Sequence, residues 1–532
     1  MNFNKKLAVA VSGAVLLMAG QVAFADSATD IVDALVSKGV LTEEEGKLIT
    51  KGHTSKTAVT PVVKEKDGAF ILESANARNS IQLTGRIHLD YRQNNLDIYD
   101  TDFNDRDSAS VADGFTLRRA RLGVKGKFAN DFKYEIVGNL PGTATVDVAF
   151  VDYAKFAGAQ LRMGKFKQPF GLEQQTSSNN IDFIERSYVD QINPAKKIGA
   201  MIFGEPKPGV TYALSTYSMN DTELDSKNDK ANYAGRATLN FAQLMGNKEM
   251  VVHVGLAGFD NEYNLATTTT SSNVASGSQR ATMLGFRTPG QGLSNTFRMQ
   301  VGGEATANTT NASNISGQNI NGNSTAQVKS HAIGLEGIFA YNNIKLQGEY
   351  SKARYQGSYN GTETIGADAN VYYGEIMWLA TGEKYADAYK AGTFSSIKPK
   401  NDFNLDNNTW GALEFGLKAE AYKVDDMTAQ SAAADTVNMT SAQRVQGSAT
   451  CTANGTPATG GWHASTEGQV NGCKATASTY TAGIKWILNP NAMVKLNYSR
   501  TNFGTDWQYY DLDDAKVLKK EDLVMMRTQI TF

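Results

Sequence analysis

The sequence predicts an all-β fold: a transmembrane antiparallel β-barrel of about sixteen strands, with one loop folded inward and a short helical segment ahead of it. Three observations lead there. Ile81, Leu83, Ile87, Leu89 and Tyr91 alternate with Gln82, Thr84, Arg86, His88, Asp90 and Arg92, the pattern of a strand with one face in lipid and one in water. Beyond the first twenty residues no apolar run approaches the length of a membrane helix, yet 22 Tyr, 23 Phe and 49 Gly suit a large sheet. The last segment repeats the alternation, with Val524, Met526, Ile530 and Phe532 opposite Met525, Arg527, Gln529 and Thr531. A closing strand that ends in phenylalanine is the terminal signature of bacterial outer-membrane barrels.

The first residues read as an export signal at 1–25. Lys5 and Lys6 form a basic end, Leu7 to Gly20 is apolar, and Ala23-Phe24-Ala25 is an A-x-A cleavage site before Asp26. Removing two lysines from 52 Lys+Arg leaves 50 against 54 Asp+Glu, a net charge of −4. That balance argues against nucleic acid as a partner. A mean hydropathy of −0.36 matches a membrane barrel as well as a soluble protein, because lipid-facing residues alternate with polar lumenal ones.

Residues 26–51 read as two short periplasmic helices, with capping-box spacing at Ser27/Asp30 and Thr42/Glu45 and Gly39 between them. A polar linker follows over 52–80, and the barrel domain runs from 81 to 532. Strands are expected near 81–92, 115–128, 131–140, 145–156, 159–166, 197–203, 209–217, 231–241, 249–259, 329–340, 343–356, 370–380, 409–422, 478–487, 492–503 and 523–532. An even count puts both ends on the periplasmic side. Short turns such as Tyr341-Asn342 and Asn489-Pro490 then fall there too, and the long segments 93–114, 260–328 and 423–477 fall outside. The 260–328 segment has room for a small hairpin around Phe286 and Phe297. Parity assigns 381–408 to the periplasmic side, although it is long.

The stretch from Arg162 to Gly199 organises the rest. It runs nearly thirty residues without a strand period, a length that marks a functional or a disordered loop. Its anchors Phe170, Leu172, Ile181, Phe183, Ile184, Tyr188 and Ile192 favour a folded constriction. The charged side chains are Lys165, Lys167, Arg186, Lys196 and Lys197 against Glu173, Asp182, Glu185 and Asp190. With the polar parity taken as lumenal, the first eight strands contribute Arg86, Arg119, Arg121, Lys125, Lys127, Lys155 and Arg162 among about ten basic groups. The second eight balance Lys345, Lys418, Lys485, Lys495 and Arg527 with glutamates. Arg119, Arg121, Lys125 and Lys127 rise along one strand, the neighbouring pairs Arg119/Arg121 and Lys125/Lys127 each about 6–7 Å apart, inside the ~8 Å Debye length of physiological salt. Charge fields that overlap in this way suit a pathway for small anions.

The only cysteines, Cys451 and Cys473, lie in one long Gly/Ala/Thr-rich segment. In an exported chain they read as a disulfide closing a surface loop. Five histidines (His53, His88, His253, His331, His463) show no metal-ligand spacing, and H-E-x-x-H and G-x-S-x-G are missing. No enzyme, metal site or cofactor is expected.

Several motifs resemble the phosphate-selective porin O and P family. They are GKFKQPFGLEQQTSSNNIDFIERS in the central stretch, FTLRRARLGVKGKF at 115–128, WLATGE at 378–383, WGALEF at 410–415 and GIKWILNPNAMVKLNYS at 483–499. The likeness covers about 81 to 532. It implies a sixteen-stranded trimeric porin whose third external loop folds inward, and transport of anions, with phosphate or polyphosphate favoured in the best-known members. Two other readings compete: a general diffusion porin for small hydrophilic solutes, and a surface-exposed structural or adhesive barrel built around the long Thr/Ser/Asn loops.

Overall fold

The computed structural model describes residues 32, 34–38, 40–57, 60–66, 69–99, 113–219, 230–266, 281–290, 294–301, 325–359, 362–429, 452–453, 456–457, 470–510 and 515–532. They form two compact units, one of Met1–Thr84 with Val124–Tyr134 and one of Gly85–Gly123 with Glu135–Phe532.

In the first unit a helix spans Glu43–Thr57. Its capping box closes both ways: Thr42 N–H donates to Glu45 Oε2 at 2.9 Å, and Glu45 N–H to Thr42 Oγ1 at 3.2 Å. The expected linker is not wholly irregular. The helix runs on to Thr57, and Val62–Lys66 pairs with Ala69–Glu73 across a two-residue connection, Asp67-Gly68. Val62, Val63, Phe70, Ile71 and Leu72 supply the branched and aromatic side chains a strand favours. A two-residue Asp-Gly link is a hairpin signal that outweighs the polar composition around it.

The chain forms a closed sixteen-strand antiparallel barrel, most of whose residues belong to the second unit. We number the barrel's strands β1 (Ser80–Tyr99), β2 (Gly114–Phe128), β3 (Phe132–Asn139), β4 (Thr145–Phe156), β5 (Ala159–Lys167), β6 (Lys196–Lys207), β7 (Val210–Tyr217) and β8 (Asn232–Asn240). The second half comprises β9 (Met250–Ala266), β10 (Thr325–Tyr341), β11 (Ile344–Tyr359), β12 (Thr362–Leu379), β13 (Ala412–Ala429), β14 (Val470–Asn489), β15 (Ala492–Tyr510) and β16 (Ala515–Thr531). Strand β16 pairs back on β1, with Met526 opposite Tyr91 and Arg527 opposite Asp90. Phe532 and Gly85 exchange backbone hydrogen bonds at 2.8 and 3.1 Å. Among the described residues no sheet edge remains to present unpaired backbone groups to lipid.

Burial is inverted relative to a soluble protein. Leu335 and Leu417 are 54% and 61% exposed on the outer face, whereas Lys345, Glu414, Lys418 and Arg527 are buried within. Several strands extend beyond the expected spans at the long-loop end, such as β1 to Tyr99, β9 to Ala266 and β15 to Tyr510. There the strands leave the apolar band, so backbone pairing continues after lipid has ceased to impose alternation.

Among the described residues three segments fold into the lumen. The first is 168–195, between β5 and β6. The second is a hairpin of Ala281–Arg287 with Ser294–Val301; its Phe286 packs on Tyr188 and Tyr422 at ring distances of 5.4 and 5.0 Å. The third is 381–408, the long piece at the short-turn end. It turns inward because Tyr385, Ala388, Phe394 and Ile397 join one buried cluster with Leu172, Phe183, Met377 and Ile487. Cys451 lies outside the described residues, so its pairing with Cys473 does too, as do the export signal and most of the long loops.

Candidate functional site

The loop between β5 and β6 takes its shape from the chain's own polar groups. Gly171 has φ 73°, and a Cβ there would stand 3.0 Å from Glu349 Oε2. Glycine therefore leaves room for the Glu349 carboxylate, which accepts the backbone N–H groups of Leu172 and Glu173, each at 2.7 Å. Those donors open the turn Leu172–Gln175 and would otherwise lack partners. At its far end Lys167 Nζ donates to the carbonyls of Gln174 and Thr176 at 2.6 and 3.0 Å. Arg186 reaches the carbonyls of Glu173 and Thr176 at 2.7 and 3.0 Å. Further along, Glu420 accepts the Tyr188 N–H at 2.9 Å.

One side of the loop is clamped to the wall made by β10–β16. Asp182 pairs with Lys345 at 2.5 Å and Lys485 at 3.5 Å. Lys495 Nζ donates to Ile181 O at 2.6 Å. Arg527 grips Asp90 with two bonds of 2.7 and 2.8 Å, Glu185 at 2.6 Å and Ile184 O at 2.5 Å. Glu185 also takes Arg118 at 2.8 Å and Arg119 at 3.5 Å. Glu173 accepts the Ser187 N–H and hydroxyl at 2.7 and 2.6 Å. Burial alone would raise the Asp182 and Glu185 carboxyls, but Lys345 and Lys485 around the first, and Arg119, Arg527 and Arg118 around the second, hold both below the ordinary carboxylate range.

The other side of the loop faces a cavity of about 850 Å³ against β1–β6. Eight basic side chains line it: Arg86, Arg119, Arg121, Arg162, Lys165, Lys167, Arg186 and Lys196, with Glu135, Asp147 and Asp190 as the acidic ones. Arg121 and Lys196 both pair with Asp147, the former at 2.9 Å. Arg162 forks onto Asp152 at 2.7 and 2.8 Å and stacks over Phe150, 3.7 Å from its centroid. Arg86 donates to Ser178 Oγ at 2.9 Å. Counting Asp152 and Glu185 as partners still leaves cations in excess by three. Hydrogen bonds from Lys167 and Arg86 to neutral oxygens hold those charges in place without cancelling them, while Arg186 also stands 3.7 Å from Asp190.

Of the residues picked from sequence, the cavity thus gathers Arg86, Arg119, Arg121, Arg162, Lys165, Lys167, Arg186 and Lys196. Lys197 instead donates to Met219 O at 2.7 Å, and Lys125 and Lys127 belong to the first unit. The loop acids Glu173, Asp182 and Glu185 do not line the cavity, so they do not offset its cations from within. Strict alternation also fails at two places. Arg118 and Arg119 are consecutive, yet both reach Glu185. Met163 is 69% exposed on the outer face, while Lys165, of the same parity, lines the cavity. Between them Gly164 has φ 129°, and a Cβ there would come within 2.1 Å of Ala149 O. Only glycine allows this irregularity, which re-aims the following lysine. Arg118 is the residue an alternation count misses. Among the described residues no cluster of His, Cys, Asp or Glu is placed to hold a metal.

Residues 81–532 match the family described as Phosphate-selective porin O and P. Porin O of Pseudomonas aeruginosa is 25% identical over 378 residues, covering 69% of this chain and 77% of that protein. Among solved structures, an anion-selective porin from Comamonas acidovorans superposes with a TM-score of 0.42 at 10% identity, over 85% of this chain and 100% of that one. The outer membrane channel DcaP of Acinetobacter baumannii gives 0.43 at 10% identity, over 86% and 99%.

Proposed function

We infer, since the chain belongs to the phosphate-selective porin O and P family, how its lumen does the work of an outer-membrane porin that passes small anions such as phosphate by passive diffusion. The observation that carries this reading is the sorting of charge around the loop. Asp182 is tied to one wall and Glu173 to the loop itself, Glu185 bridges Arg527 with Arg118 and Arg119, and the cavity still keeps an excess of cations. A solute passing there meets Arg86, Arg121, Arg162, Lys165, Lys167, Arg186 and Lys196 within overlapping fields. Arg86, Arg121, Arg162, Lys167, Arg186 and Lys196 are already engaged by protein oxygens, so they draw an anion in without holding it irreversibly, the balance conduction requires. Reversal potentials of the purified protein in planar bilayers under a potassium chloride gradient test this: anion preference is expected, and cation preference would overturn it.

Asp147 supports a second reading. It stands among the cavity's cations, beside Arg121 and Lys196, and opposed charges across a narrow passage orient dipolar solutes without selecting one sign. Equal permeation of chloride, phosphate and small neutral sugars would favour that general diffusion pore. We further propose that residues 1–25 are removed on export, that Cys451 and Cys473 form a disulfide, and that the mature chain works as a homotrimer, as the family resemblance implies. Intact mass with and without reductant checks the first two. Light scattering of the detergent-solubilised protein checks the third.

A further inference from the structure

The outer face of the second half-barrel carries a groove that the pore does not need. Its floor is one row across four adjacent strands: Gly337 pairs with Gly348, Gly348 with Gly374, and Gly374 with Ala419. Around that row Phe339, Leu346, Ile376 and Leu417 form apolar walls, and the depression encloses about 1070 Å³. Small residues alone would make only a smooth patch. What lies above them is more specific. Two residues up β11 and β12 stand Tyr350 and Tyr372, ring centroids 6.4 Å apart, with Tyr350 Oη donating to Asn370 Oδ1 at 2.9 Å. Two residues higher, Lys352, Asn370 and Lys423 are direct neighbours across β11, β12 and β13, and both lysines are exposed.

These two lysines differ from the other charges nearby. Arg354 is paired with Asp368 at 3.2 Å, and Arg500 with Asp522 by two bonds of 2.7 and 2.9 Å. Lys423 meets only the face of Tyr372, at 5.6 Å, and neither lysine forms an ion pair among the described residues. Asp425 and Asp368 stand a further step up the same face, and Arg500 borders the groove itself but is held by Asp522, so among the described residues the lysines are the nearest charges with no ion pair. From the glycine row to the lysine pair is four residues, about 13 Å along the strands. That distance suits a lipid whose acyl chain lies in the groove while its headgroup sits among the lysines.

We propose that this face binds a lipid of the surrounding membrane through a phosphate-bearing headgroup, with a chain in the groove over Gly348 and Gly374 and the phosphate between Lys352 and Lys423. The groove supplies apolar contact that a flat barrel face lacks, Tyr350 and Tyr372 mark the interfacial depth, and the paired cations select the headgroup.

Gly374 offers a clean test, because a Cβ there meets nothing within 4 Å; a larger side chain fills the groove without strain. Full-length protein is purified in a non-ionic detergent and mixed with phosphatidylglycerol, phosphatidylcholine or lipid A, and retained lipid is read by native mass spectrometry. Wild type is expected to retain the two anionic lipids in preference to phosphatidylcholine. Lys352→Gln with Lys423→Gln should reduce that retention at least fivefold and abolish the preference. Gly374→Leu should reduce retention of all three. Both variants should keep the wild-type reversal potential, since neither touches the cavity. Unchanged retention in both variants would overturn the proposal, and so would equal retention of phosphatidylcholine by wild type. A shift of oligomeric state in Gly374→Leu with lipid retention intact would overturn it in favour of a second copy on this face.

Discussion

The two halves of the barrel wall carry similar inward-facing basic residues, yet those residues end in opposite situations. On β10–β16, Lys345, Lys418, Lys485, Lys495 and Arg527 are buried beneath the loop and matched to carboxylates or carbonyls. On β1–β6, Arg86, Arg121, Arg162 and Lys196 stand around open volume, half-buried and within reach of solute. The difference is made by which wall the loop leans on. A lumenal cation is a structural clamp where the loop covers it and, on the function proposed above, a contact for permeating ions where the loop does not.

Breaking the covered wall should give the largest effect. Arg527→Met removes the partner of Asp90 and Glu185 and the donor to Ile184 O. Leaving buried charges without their partner typically costs about 3–5 kcal/mol. A markedly lower unfolding temperature, by circular dichroism or heat-modifiable gel mobility, is expected, with irregular open-channel noise as the loop loosens. Arg86→Gln on the open wall should change neither by much. Equal destabilisation by the two variants would erase the distinction between the walls.

Selectivity should respond in the reverse order. A unit charge at ~6 Å in a water-like dielectric contributes about 0.7 kcal/mol, or about threefold in relative permeability. Arg121→Ala combined with Lys196→Ala removes two cations beside Asp147 and should lower the anion-to-cation ratio roughly tenfold. Lys418→Gln, its counterpart under the loop, should leave the ratio unchanged. Reversal potentials in a salt gradient read both. Asp147→Asn should move the ratio the other way, by roughly threefold, because it removes an acid from the cavity and keeps both of its partners.

How much of this could be read from the chain depends on the range of the interaction. Lipid and water sort neighbouring residues, so the sixteen strands and their polar faces follow from a period of two. Where that sorting ends, legibility ends. The outer ends of β1, β9 and β15 pair in water and carry no alternation. A single irregular residue is invisible to a parity count, which is why Arg118 is not among the lumenal charges such a count picks and why Gly164 gives no warning of the turn that brings Lys165 inward. The charge ledger of the loop was out of reach for another reason. Asp182 and Glu185 read as acids that could neutralise Lys165, Lys167 and Arg186 beside them in sequence. Their actual partners are Lys345 and Arg527, the latter 342 residues from Glu185. Segment 381–408 belongs to the same class: its four apolar side chains find their neighbours only once the barrel has closed.

Lys125→Gln with Lys127→Gln should have the smallest effect, and it sharpens the comparison most. The alternating ladder Arg119, Arg121, Lys125 and Lys127 reads as one continuous run of four charges on β2, which would give the lower pair a share of selectivity comparable to the upper pair. The cavity takes Arg119 and Arg121 but not the two lysines. Screening confines each field to about 8 Å at physiological salt, so cations that do not line the passage should contribute little there. The double variant is therefore expected to keep the wild-type reversal potential at 0.15 M salt and to drift from it only at much lower ionic strength, where the screening length grows to about 30 Å at 0.01 M. A loss at 0.15 M equal to that of the Arg121 and Lys196 variant would mean that position along the strand matters more than proximity to the cavity. The loop would then lose its role in deciding which cations a solute meets.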